Sequence, residues 1–302
     1  MYKLINPDVI NNQLTQIADE IRKKTNETDL LLFPDDFITK IRNITGSSNA
    51  FFEELASGTL SGDVVVTGIT RVNSYTFYGQ KINSINFPDL LQIGNSAFAR
   101  CSLLTTIDLP KVKTIGENAF QFCSRLSTVN GLSNITSIPK YCFHSCRSLK
   151  TISLPNLKTI GAYGFYDSGL KEFIAPESFN GIVNDYAFEL CNSLEKIDFL
   201  NLKTVRPYGL EFNELTPDGK RHFLIIRNTD TVPTAYNGSF KPQTTNLYVP
   251  RSMIEKYKAA DYWNLFSDWG YMYAIEDYPD ITGGIWPHET NNNDFTTDER
   301  PL

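Results

Sequence analysis

Cysteine and histidine carry the most versatile chemistry in this sequence, and there are only five of the one and three of the other. They gather in a single place, Cys142-Phe143-His144-Ser145-Cys146. Thiolate and imidazole at such short spacing are zinc ligands, and a structural zinc site closes with four of them. This string offers at most three, and no second pair lies elsewhere to complete the set. His144, two residues before Cys146, is expected to point away from it. His222 and His288 have no apparent partner for proton transfer, and acidic side chains are spread along the chain without a pair that stands out. No nucleophile and base, phosphate loop or dinucleotide fingerprint is present. The expectation is no metal, no cofactor and no catalytic centre, so the chain is read as a non-enzyme.

Four of the cysteines instead mark a period. The stretch from Ile93 to Thr114, IGNSAFARCSLLTTIDLPKVKT, places Ile93, Phe98, Cys101, Leu104, Ile107 and Leu109 at steps of 5, 3, 3, 3 and 2. These steps are too irregular for one amphipathic helix, and the stretch is too long for one strand. The same order returns from Ile115, Ile138, Ile160 and Val183, with worn copies at Val72 and Val205. Self-similarity at a fixed period, here about 22 residues, marks a repeat array whose coils are stabilised by their neighbours. Cys101, Cys123, Cys146 and Cys191 share one repeat position and should form an inward column. Coils stacked about 4.8 Å apart would bring thiols within reach of a disulfide. A free cysteine is also a small buried hydrophobe, so a reduced column is expected.

The pattern I-G-x-x-A-F, a Cys three residues past the Phe, then L-x-x-I-x-L-P, resembles the BspA-type leucine-rich repeats over roughly residues 65 to 250. The resemblance implies an α+β repeat fold: a leucine-rich-repeat solenoid with a parallel β-sheet and about seven coils, one for each opening from Val72 to Val205. An N-terminal helical hairpin and a helical C-terminal cap are expected to flank it. Gly94, Gly116 and Gly161 give way to Asn73, Pro139, Asn184 and Arg206 in other coils. The proline ring locks φ at a negative value, so positive φ is not what this position requires.

Two faces of the array are candidates for binding. The segment L-x-x-I-x-L should be the strand, with Leu104, Ile107 and Leu109 inward by the period of two. Its outward row then includes Ser84, Asn86, Thr106, Asp108, Thr128, Asn130, Thr151, Ser153, Glu172, Ile174, Lys196 and Asp198. These side chains are mostly short and polar, suited to a solvated ladder as well as to a ligand. The second column, two residues before each Phe, reads Tyr75, Ser96, Asn118, Tyr141, Tyr163, Tyr186 and Tyr208. Four consecutive tyrosines offer rigid apolar area with polar tips; the alternative is that they pack over neighbouring coils.

The ends differ from the middle. Asn6-Pro7 opens a helix whose Ile10, Leu14, Ile17 and Ile21 form one narrow apolar stripe, and a second short helix follows from about Pro34. The order I-A-x-x-I-R-x-K-T, then L-x-F-P-D-D-F, resembles N-terminal modules of tail-associated structural proteins of phages and prophages. That resemblance implies an attachment or oligomerisation module over residues 1–45; the alternative is a cap on the solenoid. Residues 46–71 are assigned to a linker and N-terminal cap, 72–250 to the solenoid, 251–278 to a C-terminal cap and 279–302 to an acidic polar tail. Ser252 and Glu255 are expected to form a capping box, with Trp263, Phe266 and Trp269 sealing the last coil.

Composition limits the partners. Of the 302 residues 41% are apolar, enough for a packed core. A net charge of −6 and a pI near 5.2 argue against nucleic acid and against an anionic membrane surface. The start, MYKLINPDVINNQ, lacks the basic then apolar segments of a secretory signal. On that ground the first expectation is a phage virion component, tail- or baseplate-associated and made in the bacterial cytoplasm. It would dock on other virion proteins or on itself through residues 1–45 and present the array to a host-surface protein or glycan. The second is a BspA-like bacterial cell-surface adhesin.

Overall fold

The computed structural model describes residues 3–5, 64–66 and 70–282, apart from 180 and 213. The chain winds as a parallel β-solenoid of about nine turns rather than the seven expected, because strands such as Val64–Val66, Thr245–Val249 and Met272–Ala274 add turns whose residues depart from the repeat pattern. The turns begin where the sequence period places them. In Thr106–Asp108 only the central Ile107 is buried, as the alternation of the strand requires. Ser84–Asn86, Thr106–Asp108 and Thr128–Asn130 stack in register, with Ile85, Ile107 and Val129 opposite one another. Val64–Val66 continues this ladder, and Lys3–Ile5 lies parallel to it. A second five-stranded parallel sheet runs Glu172–Ile174, Lys196–Phe199, His222–Ile226, Thr245–Val249 and Met272–Ala274. The ladder therefore extends beyond residue 250, through a strand the sequence reading placed in the C-terminal cap.

Between the blocks, Thr151 and Ser153 were expected on a strand and lie instead on exposed, non-strand chain. Two irregularities flank this pass. The preceding turn takes an extra residue through Gly131, at φ 82, and the 3-10 segment Leu132–Asn134. The following turn is one residue short between Ser168 and Leu170, and fits only because position 169 is glycine: a Cβ there would lie 2.0 Å from the Arg147 carbonyl oxygen. Both are absorbed before the core positions return, since Phe120 N still bonds Cys142 O and Phe143 N still bonds Gly164 O, but residues 151–153 join neither sheet.

The opposite side of each turn carries two-residue strands, from Arg71–Val72 through Ile182–Val183 to Thr234–Ala235. Each is followed by a corner, and in most turns that corner holds two residues in the left-handed region. The first is the tyrosine column: Tyr75, Ser96, Asn118, Tyr141, Tyr163, Tyr186 and Tyr208 have φ between 53 and 62. The second is Arg100, Phe122, Ser145, Asp167 or Leu190. Left-handed residues other than glycine cost about 1–2 kcal/mol each. Turn-to-turn hydrogen bonds offset this, as in Ser96 N to Glu117 O at 2.8 Å, Phe98 N to Ala119 O at 2.9 Å and Arg100 N to Gln121 O at 2.7 Å. Gly94, Gly116 and Gly161 are not among the positive-φ residues.

The core is a file of parallel rings. Phe77, Phe98, Phe120, Phe143, Phe165 and Phe188 stack at centroid separations of 5.1 to 5.6 Å with interplanar angles of 3 to 17°. Leu210 and Phe240 occupy the same place in later turns and are themselves bridged in parallel.

After Pro250 come two five-residue helices, α1 (Ile254–Lys258) and α2 (Asn264–Asp268). The expected capping box does not form: residue 252 lies in a 3-10 segment, the helix begins at Ile254 with no side-chain cap, and Glu255 pairs with Lys258. Trp263 and Phe266 are buried against Phe240, whereas Trp269, expected to seal the coil with them, is 51% exposed. Residues 279–282, assigned by composition to the polar tail, form a helical turn, α3 (Pro279–Thr282). The expected N-terminal hairpin, with Ile10, Leu14, Ile17 and Ile21, and the tail beyond 282 lie outside the described residues. Among the described residues no helix is long and apolar enough to cross a membrane.

Candidate binding surface

The tyrosine column is brought together as one row. Tyr141 and Tyr163 stack at 4.6 Å, Tyr163 and Tyr186 at 4.6 Å, and Tyr186 and Tyr208 at 4.7 Å, with interplanar angles of 22, 10 and 11°. The shared left-handed φ aims every ring the same way, so the period of the solenoid becomes the period of the row. Each inner ring has both faces covered by neighbours and presents its edge and hydroxyl. The row is half-buried and opens to 37% exposure at Tyr208.

A flanking aromatic row went unnoticed in the sequence. His144 stacks on Tyr166 at 4.8 Å and meets the edge of Phe122 at 5.0 Å. The signal was there one residue after each core Phe, but His144 and Tyr166 stand among Ala99, Gln121 and Glu189 at that position. Charge is unevenly placed along the surface. Lys140 lies over the Tyr141 ring at 5.1 Å and Arg206 over Tyr236 at 5.2 Å. Burial and the adjoining Tyr208 raise the Tyr186 phenol, aided by Glu189, Asp185 and Glu211. Burial, then Glu189, raises Glu211, while Lys241 opposes them.

The expected sheet face is divided. Thr106, Asp108, Thr128 and Asn130 share one block, where Asn130 donates to Asp108 at 2.6 Å. Thr151 and Ser153 fall on the interruption described above. Lys196 pairs with Glu172 at 3.3 Å in the second block. Asp198, expected outward and accessible, is buried and gripped by Arg227, with Nε at 2.8 Å and Nη2 at 2.7 Å from its oxygens. Beyond it the row turns apolar: Phe223 and Ile225 stand opposite Lys196 and Asp198. Together with Tyr248 and Tyr273 they are covered by Ile275, Tyr278 and Ile281. The outer face of the last turns is thus a second small core. Its signal was His222–Ile226, apolar at nearly every position, as befits a strand covered on both sides.

The thiol and imidazole string does not converge. Cys146 belongs to the inward cysteine column, Cys142 takes the buried place of Ala97, Ala119 and Ala187, and His144 faces out against Tyr166. Among the described residues no three His, Cys, Asp or Glu gather where they could hold a metal ion. All five cysteines are free and buried. Burial pushes Cys101 and Cys191 up to about 12 and raises Cys123, Cys142 and Cys146 as well. His222 is buried with its ring nitrogens against the carbonyls of Leu194 and Glu214, and burial lowers its pKa, as it does that of His144.

No curated protein matches the chain. A leucine-rich repeat protein from Bacteroides ovatus is 20% identical with a TM-score of 0.36, over 55% of this chain and 63% of that one. The leucine-rich repeat protein TpLRR of T. pallidum is 19% identical with a TM-score of 0.45, over 64% and 88%. A leucine rich cell surface protein from Faecalibacterium prausnitzii is 16% identical with a TM-score of 0.30, over 63% and 73%. The chain spans less than two thirds of the Bacteroides protein. The family model described as BspA type Leucine rich repeat region matches residues 70–195 in six copies, so that stretch of the chain is similar to repeats of that type.

Proposed function

We propose that this chain is a non-catalytic binding protein of the bacterial cell surface, in the manner of BspA-like proteins, and that the corner bearing Tyr141, Tyr163, Tyr186 and Tyr208 meets the partner. The observation that carries this reading is the tyrosine row itself. Four rings are held in one orientation on left-handed backbone that glycine or asparagine would occupy with less strain. Rigid amphipathic rings lose little entropy on binding. The solenoid offers the row a stiff support, while its buried cysteines and dispersed histidines serve packing. The virion expectation rested on residues 1–45, which lie outside the described residues, and nothing in the described residues or in the similar proteins favours it.

Labelling intact producing cells with a membrane-impermeant amine reagent tests the location. The protein should be recovered labelled from whole cells, and the yield should fall after brief protease treatment of those cells. Recovery only from lysed cells or from purified phage particles would overturn the surface reading.

A further inference from the structure

The partner of the tyrosine row can be narrowed by its geometry, an inference that rests on the binding reading above. Because neighbouring rings cover each other's faces, the row cannot stack a flat ligand; it presents edges and hydroxyls from rings whose centroids lie 4.6 and 4.7 Å apart. Two such intervals, from Tyr163 to Tyr208, come to about 9.3 Å. A ligand that engages several rungs needs acceptors in step with that spacing. An extended strand places like-facing groups about 6.7 Å apart, twice its rise of about 3.3 Å. An α-helix repeats every turn, about 5.4 Å, and uses its carbonyls internally. Neither matches. A polyproline II helix rises about 3.1 Å per residue with three residues per turn, so it repeats about every 9.3 Å, and its carbonyls make no internal hydrogen bonds.

We propose that the row Tyr141, Tyr163, Tyr186 and Tyr208 binds a proline-rich segment in the polyproline II conformation, laid along the solenoid axis, with a basic side chain at its Tyr208 end. Alternate tyrosine hydroxyls donate to carbonyls one helical turn apart, and proline rings rest on the ring edges between them. Charge sets the direction. Asp185, Glu189 and Glu211 act on the Tyr186 end of the row, where the cations are engaged elsewhere, Arg206 over the Tyr236 ring and Lys241 against Glu211, whereas Lys140 lies over the ring at the Tyr141 end. A preformed helix also loses little entropy on docking.

The test uses the full chain and fluorescence anisotropy with three labelled probes of about nine residues, or three polyproline turns: an oligoproline with one arginine at one end, the plain oligoproline, and a glycine-serine peptide carrying the same arginine. The first should bind at least tenfold more tightly than the third. Asn118 already occupies this column at φ 58, so Tyr163→Asn with Tyr186→Asn suits the backbone. The double variant should lose some thermal midpoint with the three stacks it removes, keep a cooperative transition and the native far-UV spectrum, and lose oligoproline binding at least tenfold. Glu189→Gln with Glu211→Gln should reduce the advantage of the arginine probe over plain oligoproline. Equal binding of the first and third probes, or oligoproline binding that survives the double tyrosine change, would overturn the proposal. Binding of soluble oligosaccharides that depends on the same tyrosines, with no peptide bound, would overturn it while leaving the row a binding surface.

Discussion

The thiol of Cys146 donates to the carbonyl oxygen of Phe120 one turn away at 3.1 Å, and the same oxygen accepts the backbone N–H of Cys123 at 3.1 Å. Cys101, Cys123 and Cys191 repeat the contact with Phe77, Phe98 and Phe165 at 2.9 to 3.0 Å. The cysteine column is thus a set of clamps between turns, each sulfur filling apolar space while its proton uses a lone pair that the turn-to-turn bonds leave over. Replacing Cys146 by Ala should cost about 1–2 kcal/mol, and replacing it by Ser less, since Ser168 already holds that place. Denaturant titration of the two variants checks the order; equal losses would refute the clamp.

The same burial makes the thiols inert. With Cys101 and Cys191 pushed up to about 12, roughly one thiol in ten thousand is ionised at pH 8. A chromogenic thiol reagent should find almost nothing in the native protein and five groups in denaturant without reductant. Two or fewer groups in denaturant would mean disulfides.

Removing a stacked core ring should far outweigh changing an exposed polar residue. Phe143→Ala is expected to cost about 3–5 kcal/mol. Thr151→Ala, on exposed non-strand chain, should stay within about 0.5 kcal/mol. Chemical denaturation of both variants decides whether the faces are assigned correctly.

Arg227→Met alone strands a buried carboxylate, because the Asp198 and Arg227 side chains are only 9% and 14% exposed. The loss should be about 3 kcal/mol. Adding Asp198→Leu should recover most of it, since neither charge is then left unpaired. A double variant as unstable as the single one would show that the pair does more than balance itself.

Stability should depend on pH through His222. Burial holds its folded pKa below the usual value, so the unfolded chain takes up a proton first as pH falls. The contribution is complete above about pH 6.5 and is lost progressively below it. His144 is shifted the same way and adds to the slope. Thermal midpoints measured from pH 8 to 5 should fall less steeply in His222→Gln than in the parent, and an unchanged slope would exclude His222 as the cause.

From the sequence alone the period, the inward Phe and Cys columns and the tyrosine column were legible, because each depends on spacing that every turn repeats. Ile107 inward with Thr106 and Asp108 outward follows from alternation along one strand. What only the tertiary structure decided depends on where turns differ. The extra residue at Gly131 and the missing one beside Gly169 cancel in the average period, yet they flank the pass where Thr151 and Ser153 leave the ladder. Asp198 looked like any other outward residue until Arg227, 29 positions later, came to lie beside it. The left-handed backbone of the tyrosine column was equally hidden, since tyrosine ordinarily avoids it. Only hydrogen bonds from neighbouring turns, which no local window contains, hold Tyr141, Tyr163, Tyr186 and Tyr208 there and turn a pattern of letters into a continuous row.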